Sequence, residues 1–156
     1  MRNFDTFESP GLIVYPERVK RNIAKVIEMV NGNPSRLRPH IKTHKTKEGN
    51  DLLLAAGISK FKCATIAEAE LLALSEAPDV LISMQLIGPN LERFKQLVLN
   101  YPKTSFSSIV DDPFAADELN RFFEGSETRV FVDLNMGMNR TGIKPEKALA
   151  LIQYIQ

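Results

Sequence analysis

The sequence contains no tryptophan and a single cysteine, Cys63. One cysteine excludes an internal disulfide, and no Cys/His cluster suggests structural zinc. Charge of one sign is equally scarce: 20 basic side chains face 19 acidic ones, for a net charge of +1. That balance removes the main electrostatic reason to expect nucleic acid or an anionic membrane surface as a partner. No apolar run approaches transmembrane length, and the start, Met1 to Asp5, lacks the apolar core of a signal peptide. A cytoplasmic domain is therefore expected. Linker-like stretches, low-complexity segments and internal repeats are missing too. What remains is a chain of 156 residues, 44% apolar and 25% charged, which suits one globular domain with a sizeable core.

Strand and helix signals alternate along it. A short apolar run at residues 11–15 reads as a strand, and Pro16 opens a helix where a missing N–H costs nothing. Val19, Ile23, Ile27 and Val30 follow at helical spacing, and Asn31-Gly32-Asn33-Pro34 stops that helix. Residues 37–42 read as a polar strand, 48–56 as a helix, 60–65 as a strand and 66–76 as a helix. Residues 79–83 are nearly all apolar, as a buried parallel strand should be. Pro89 starts the next helix, 104–110 is a strand, and Asp111 and Asp112 are N-cap candidates for the helix after it. Residues 128–134 form the last expected strand, 135–143 an irregular loop, and Pro145 begins a final helix.

Alternation with short connections argues for a parallel sheet in right-handed βα units. The candidates are a doubly wound open sheet and a (β/α)8 barrel. No glycine fingerprint follows any strand, which leaves the dinucleotide-binding open sheet unsupported. Barrels place their chemistry at the C-terminal ends of the strands. Polar residues fall in those places here: Lys42-Thr43-His44 after one strand, Gln85 after another, Asp133 and residues 135–140 after the last. The pattern favours the barrel.

The most unusual segment is Arg38-Pro39-His40-Ile41-Lys42-Thr43-His44-Lys45. Strand alternation sends Arg38, His40, Lys42 and, where it continues, His44 to one face and Leu37, Pro39 and Ile41 to the other. Packing alone would not select a row of bases pointing into a barrel, because buried unpaired cations are costly. A lysine crowded by cations and partly desolvated is a competent Schiff-base former; the plainer alternative is a solvated basic edge strand. His40 and His44 make a weak metal pair, about 13 Å apart on a strand at roughly 3.3 Å per residue, with no third ligand nearby. In the second constellation, Asp133 to Ile143, two glycines permit a tight turn that carries Arg140, a residue able to clamp an oxyanion. An ordinary ion pair of Arg140 with Asp133 is the plainer alternative. Glu68 and Glu70 read as a solvated helix face and Cys63 as a small core residue.

Together these segments resemble the fold-type III pyridoxal-phosphate enzymes, in particular the D-threonine aldolase and D-serine dehydratase branch related to alanine racemase. The resemblance is carried by Ser9-Pro10-Gly11-Leu12-Ile13-Val14 and by Arg38-Pro39-His40-Ile41-Lys42-Thr43-His44-Lys45. It continues through Lys62-Cys63-Ala64-Thr65 with Glu68-Ala69-Glu70, Asp79-Val80-Leu81-Ile82 and Gly137-Met138-Asn139-Arg140-Thr141-Gly142. It implies that Lys42 forms the Schiff base with pyridoxal 5'-phosphate as the catalytic residue, that His40 lies beside the cofactor ring and that Arg140 approaches its phenolic oxygen. Gln85 completes the expected cofactor-binding set. Thr46 stands where alanine racemases usually carry a tyrosine, and Asp133 where they place a lysine; both departures point to the aldolase/dehydratase branch. The implied reactions on a D-amino acid are aldol cleavage, dehydration or racemisation. The divalent metal used in the first two belongs to a C-terminal β-domain of the full-length proteins, so no metal ligand is expected in this chain.

A complete eight-unit barrel takes about 250 residues. The strands ending at Ile41, Ala64, Ile82, Val110 and Leu134 supply about five of eight units. The expected organisation is a leading strand and first helix over 1–36, then a partial alanine-racemase-like barrel over 37–156, with the remaining barrel units and the β-domain absent. The expectation is an N-terminal portion of the enzyme, inactive alone, that either self-associates through its open edge or swaps elements. Two other readings of Lys42 stand beside it: a cofactor-binding protein of the same fold without turnover, and a cofactor-free Schiff-base aldolase.

Overall fold

The structure is a computed structural model that describes residue 6 and residues 8–124 and 128–155. The start at residues 1–5, read above for targeting, lies outside the described residues. Proline sets the start of four helices: α1 (Pro16–Met29), α4 (Pro89–Asn100), α5 (Pro113–Phe122) and α6 (Pro145–Ile155). Threonines cap two more. Thr46 Oγ1 accepts from the Gly49 N–H at the start of α2 (Lys47–Ala55), and Thr65 Oγ1 accepts from the Glu68 N–H at the start of α3 (Ile66–Leu74). Asp112 does the same for α5 through the Ala115 N–H.

Four strands, β1 (Lys60–Cys63), β2 (Asp79–Ile82), β3 (Ser105–Val110) and β4 (Arg129–Val132), pair in parallel in the order β1-β2-β3-β4. Each new strand is added on the same side of the last. A doubly wound sheet reverses direction at a switch point; this sheet has none, which is the progression of a barrel. Phe61, Cys63, Val80, Ile82, Phe106 and Val110 face the helices and form the core with Leu72 of α3 and Phe94 of α4. Phe94 packs edge-on against Phe106 (centroids 6.4 Å apart) and tilted against Phe123 (5.3 Å). Each such buried ring contributes about 1.5–3 kcal/mol.

By alternation, the opposite face carries Lys60, Lys62, Asp79, Leu81, Ser107 and Arg129. At its N-terminal end Asp79 receives Arg38 at 2.5 Å and Arg129 at 2.8 Å. Both guanidinium groups also lie over the Phe131 ring. This network joins the segment before α2 to β4, across the width of the sheet.

Two expected strands are corrected. Residues 37–42 are not a strand throughout: His40 makes one parallel bridge to Lys62, after which Ile41–Thr43 turns as a 3-10 helix. The His40 ring ends the extended run, because its Nδ1 accepts the Lys42 N–H (3.3 Å) and draws the backbone into a turn. Arg38 and His40 therefore keep strand alternation, whereas Lys42 leaves it. Residues 11–15 have no strand partner among the described residues, and Leu12 there is 82% exposed.

Candidate functional site

The loops at the C-terminal ends of the strands carry the candidate residues. Lys42 is exposed on the 3-10 turn that follows His40, and that turn is anchored on two sides. On one side, His44 Nε2–H donates to Asn50 Oδ1 (2.9 Å), and Asn50 Nδ2–H donates to Ser75 Oγ (3.1 Å). The Ser75 hydroxyl in turn donates to the Leu71 carbonyl (2.9 Å). Asn50 is fully buried, so this chain of polar groups is stiff and costly to break. Gly49 makes room for it: a Cβ there would sit 2.5 Å from His44 Cδ2.

On the other side, Lys45 pairs with Glu68 (3.3 Å). Lys45 takes a left-handed conformation, φ 48°, with its N–H donating to the Ile41 carbonyl (2.9 Å). Glu68 is only 6% exposed, which corrects its reading as part of a solvated face; Glu70 fits that reading and receives the Tyr101 hydroxyl. Burial would raise the Glu68 carboxyl, but the Ala64 N–H (2.7 Å) and Lys45 outweigh it and hold the carboxyl below the usual range. His40 is displaced downward by burial first, then by the charges of Lys42 and Lys62. It is therefore neutral near pH 7, as its acceptor role toward the Lys42 N–H requires.

Arg140 lies past the C-terminal end of β4, in a loop that is fixed although its surface is exposed. Asn135 organises it: Oδ1 accepts the Gly137 and Asn139 N–H groups, and Nδ2 donates to Asn139 Oδ1. Asp111 closes it from β3's end by accepting the Gly142 N–H (2.8 Å). Leu134 bridges to Ile143 at the loop's base. Gly142 is required: at φ 98° a side chain would be strained, and its Cβ would meet the Asn135 nitrogen at 2.6 Å. Arg140 itself has no hydrogen bond or ion pair among the described residues, so the pairing with Asp133 weighed above does not form. Gln85, after β2, donates to Asp112 Oδ2 (3.1 Å) and is held at the start of α5.

The structure thus brings His40 and Lys42 into direct contact and sets Gln85 and Arg140 on later loops at the same end of the sheet. No group of three or more metal-binding side chains occurs among the described residues. Burial pushes the Cys63 thiol up to about 12, the state of an inert core residue.

The family model described as alanine racemase, N-terminal domain, matches residues 14–156. The chain belongs to the alanine racemase N-terminal domain family. Among its relatives, the D-threo-3-hydroxyaspartate dehydratase of Delftia sp. (strain HT23) is 27% identical over 140 residues, covering 88% of this chain and 36% of the relative. The 3-hydroxy-D-aspartate aldolase of Paracoccus denitrificans is 28% identical over 151 residues, covering 93% and 38% respectively. The crystal structure of D-threonine aldolase from Filomicrobium marinum superposes with a TM-score of 0.84 at 29% identity, covering 94% of this chain and 40% of that one. The chain therefore spans well under half the length of the relatives it matches, and its four-stranded sheet is part of the family's barrel.

Of the residues that hold the site, Asn50 escaped the sequence reading, while Glu68, Asp111 and Asn135 were read in other roles: a solvated face, an N-cap and part of an irregular loop. A signal existed for Glu68, since Thr65-x-x-Glu68 is a capping-box spacing that turns a glutamate back toward the chain entering the helix. For Asn50 and Asp111 none existed, because their partners, Ser75 and Gly142, lie 25 and 31 residues away.

Proposed function

We propose that this chain supplies the Lys42 side of the active site of a pyridoxal-phosphate-dependent enzyme that cleaves or dehydrates D-amino acids bearing a β-hydroxyl. The observation that carries the reading is the pairing of an exposed, anchored Lys42 with an unpaired Arg140 on a rigid loop, both at the end of the sheet where barrels do chemistry. A free amine beside a neutral imidazole, with a guanidinium that no carboxylate occupies, fits an anionic aromatic aldehyde. The substrates named in the relatives, D-threo-3-hydroxyaspartate, 3-hydroxy-D-aspartate and D-threonine, all combine the D configuration with a β-hydroxyl, which supports the substrate class.

Lys42 Nζ would hold the cofactor covalently, and its turn would fix where that bond points. His40, neutral and clamped through Nδ1, would flank the ring without adding charge to it. Arg140 would donate to the phenolic oxygen, and Gln85, oriented by Asp112, would offer its remaining amide atoms to the cofactor. When bound, pyridoxal phosphate supplies an electron sink for a carbanion at the substrate α-carbon. The leading segment at 1–36 and the partial barrel over 37–156 would act as one body, since Ile23 of α1 belongs to the common core, and a cytoplasmic setting goes with the single buried thiol. Among the described residues no helix is long and apolar enough to cross a membrane.

The test is spectroscopic. Added to the protein, pyridoxal phosphate should develop the visible band of the lysine-bound cofactor; Lys42→Ala should abolish it, and Arg140→Ala should shift the band and weaken binding about tenfold or more. An identical band in Lys42→Ala would overturn the assignment.

A further inference from the structure

Glu68 is a buried carboxylate that the reading above does not use. Its Oε2 accepts the Ala64 N–H at 2.7 Å, just past the end of β1, and its Oε1 faces Lys45 Nζ at 3.3 Å. Lys45 stands three residues beyond Lys42, at the point where the chain must pass through a left-handed conformation to leave the 3-10 turn. Such a conformation is unfavourable for a lysine and persists only where surrounding contacts enforce it. The ion pair with Glu68 is a contact of that kind, and it joins the turn to the strand end beside it.

We propose that Glu68 is a positioning residue for Lys42: its charge holds Lys45 against the end of β1 and so fixes the turn that aims the Lys42 amine. The inference rests on the reading of Lys42 as the cofactor lysine. It is separable from the capping role of Glu68, because glutamine caps a helix as glutamate does and keeps an acceptor for the Ala64 N–H. Only the pairing with Lys45 needs the charge.

Two readouts on the full chain test this. The first is amide hydrogen exchange across residues 40–46. The second is the share of borohydride-trapped pyridoxal phosphate found on Lys42 relative to the other lysines. Glu68→Gln should speed exchange in that segment and cut the Lys42 share, each by about tenfold, while exchange in β2 and β3 stays at its original rate. Lys45→Gln should reproduce both changes, and Lys45→Arg should restore them. Wild-type exchange and a wild-type Lys42 share in Glu68→Gln would overturn the proposal, as would faster exchange spread evenly over the whole chain. If the original protein carries no label on Lys42 but Glu68→Gln still loosens residues 40–46, the hold on the turn stands and the cofactor assignment falls.

Discussion

His40, Glu68 and Asp79 each titrate differently in the folded chain than in an unfolded one. For Asp79, burial pushes the carboxyl up, but the hydrogen bonds from Arg38 and Arg129 more than offset it and leave it below the usual range. Glu68 is also lowered. Carboxyls held low in this way stabilise the fold above their unfolded pKa, and that stability is lost as pH falls through the folded value. His40 acts in the same direction by a different route: its folded value lies below 6.5, so the unfolded chain binds the extra proton first and stability drops as pH falls below 6.5. Urea unfolding should therefore give a free energy that declines steadily between about pH 7 and about pH 3. Asp79→Asn, which leaves Arg38 and Arg129 facing each other, should cost about 1–3 kcal/mol at neutral pH and flatten the acid end of that decline. Cys63 should resist alkylation until the chain unfolds, given a thiol at about 12 and full burial.

The elements show where sequence patterning was informative and where it was not. Pro16, Pro89, Pro113 and Pro145 begin helices because each occupies a first-turn position whose N–H has no partner to lose, a local property visible in sequence. The apolar run in β2 was legible for a similar reason, since both faces of a parallel strand are covered. The Lys42 turn was not. It depends on a ring-to-backbone bond at His40 and on Glu68 and Asn50, residues brought up by other elements, so strand alternation carried the reading two residues too far. The Arg140 loop was legible in outline through its glycines, while Asp111, which closes it, was hidden. That loop offers a direct check. Gly142→Ala should destabilise the chain by about 1–3 kcal/mol, because the new Cβ meets the Asn135 backbone and φ is positive. It should also weaken pyridoxal phosphate binding by displacing Arg140, whereas Gly32→Ala, where nothing lies within 4 Å, should leave binding unchanged.

At the scale of the whole molecule, the sheet is open. Among the described strands β4 has a neighbour on one side only, and Phe131 and Leu134 near that edge are 39% and 43% exposed. A barrel removes such edges by closing on itself. The expected outcome for this chain by itself is concentration-dependent self-association on gel filtration, suppressed by a charged residue at position 131; a well-behaved monomer at all concentrations would count against it. Self-association at this edge is independent of the assignment of Lys42 as the residue that takes the cofactor. The most direct test of that assignment is to incubate the protein with pyridoxal phosphate, reduce with borohydride and map the labelled peptides. Label concentrated on Lys42, and absent from that peptide when Lys42 is replaced, is the predicted result. Label spread over Lys45, Lys47, Lys60 and Lys62 with no preference for Lys42 would contradict it.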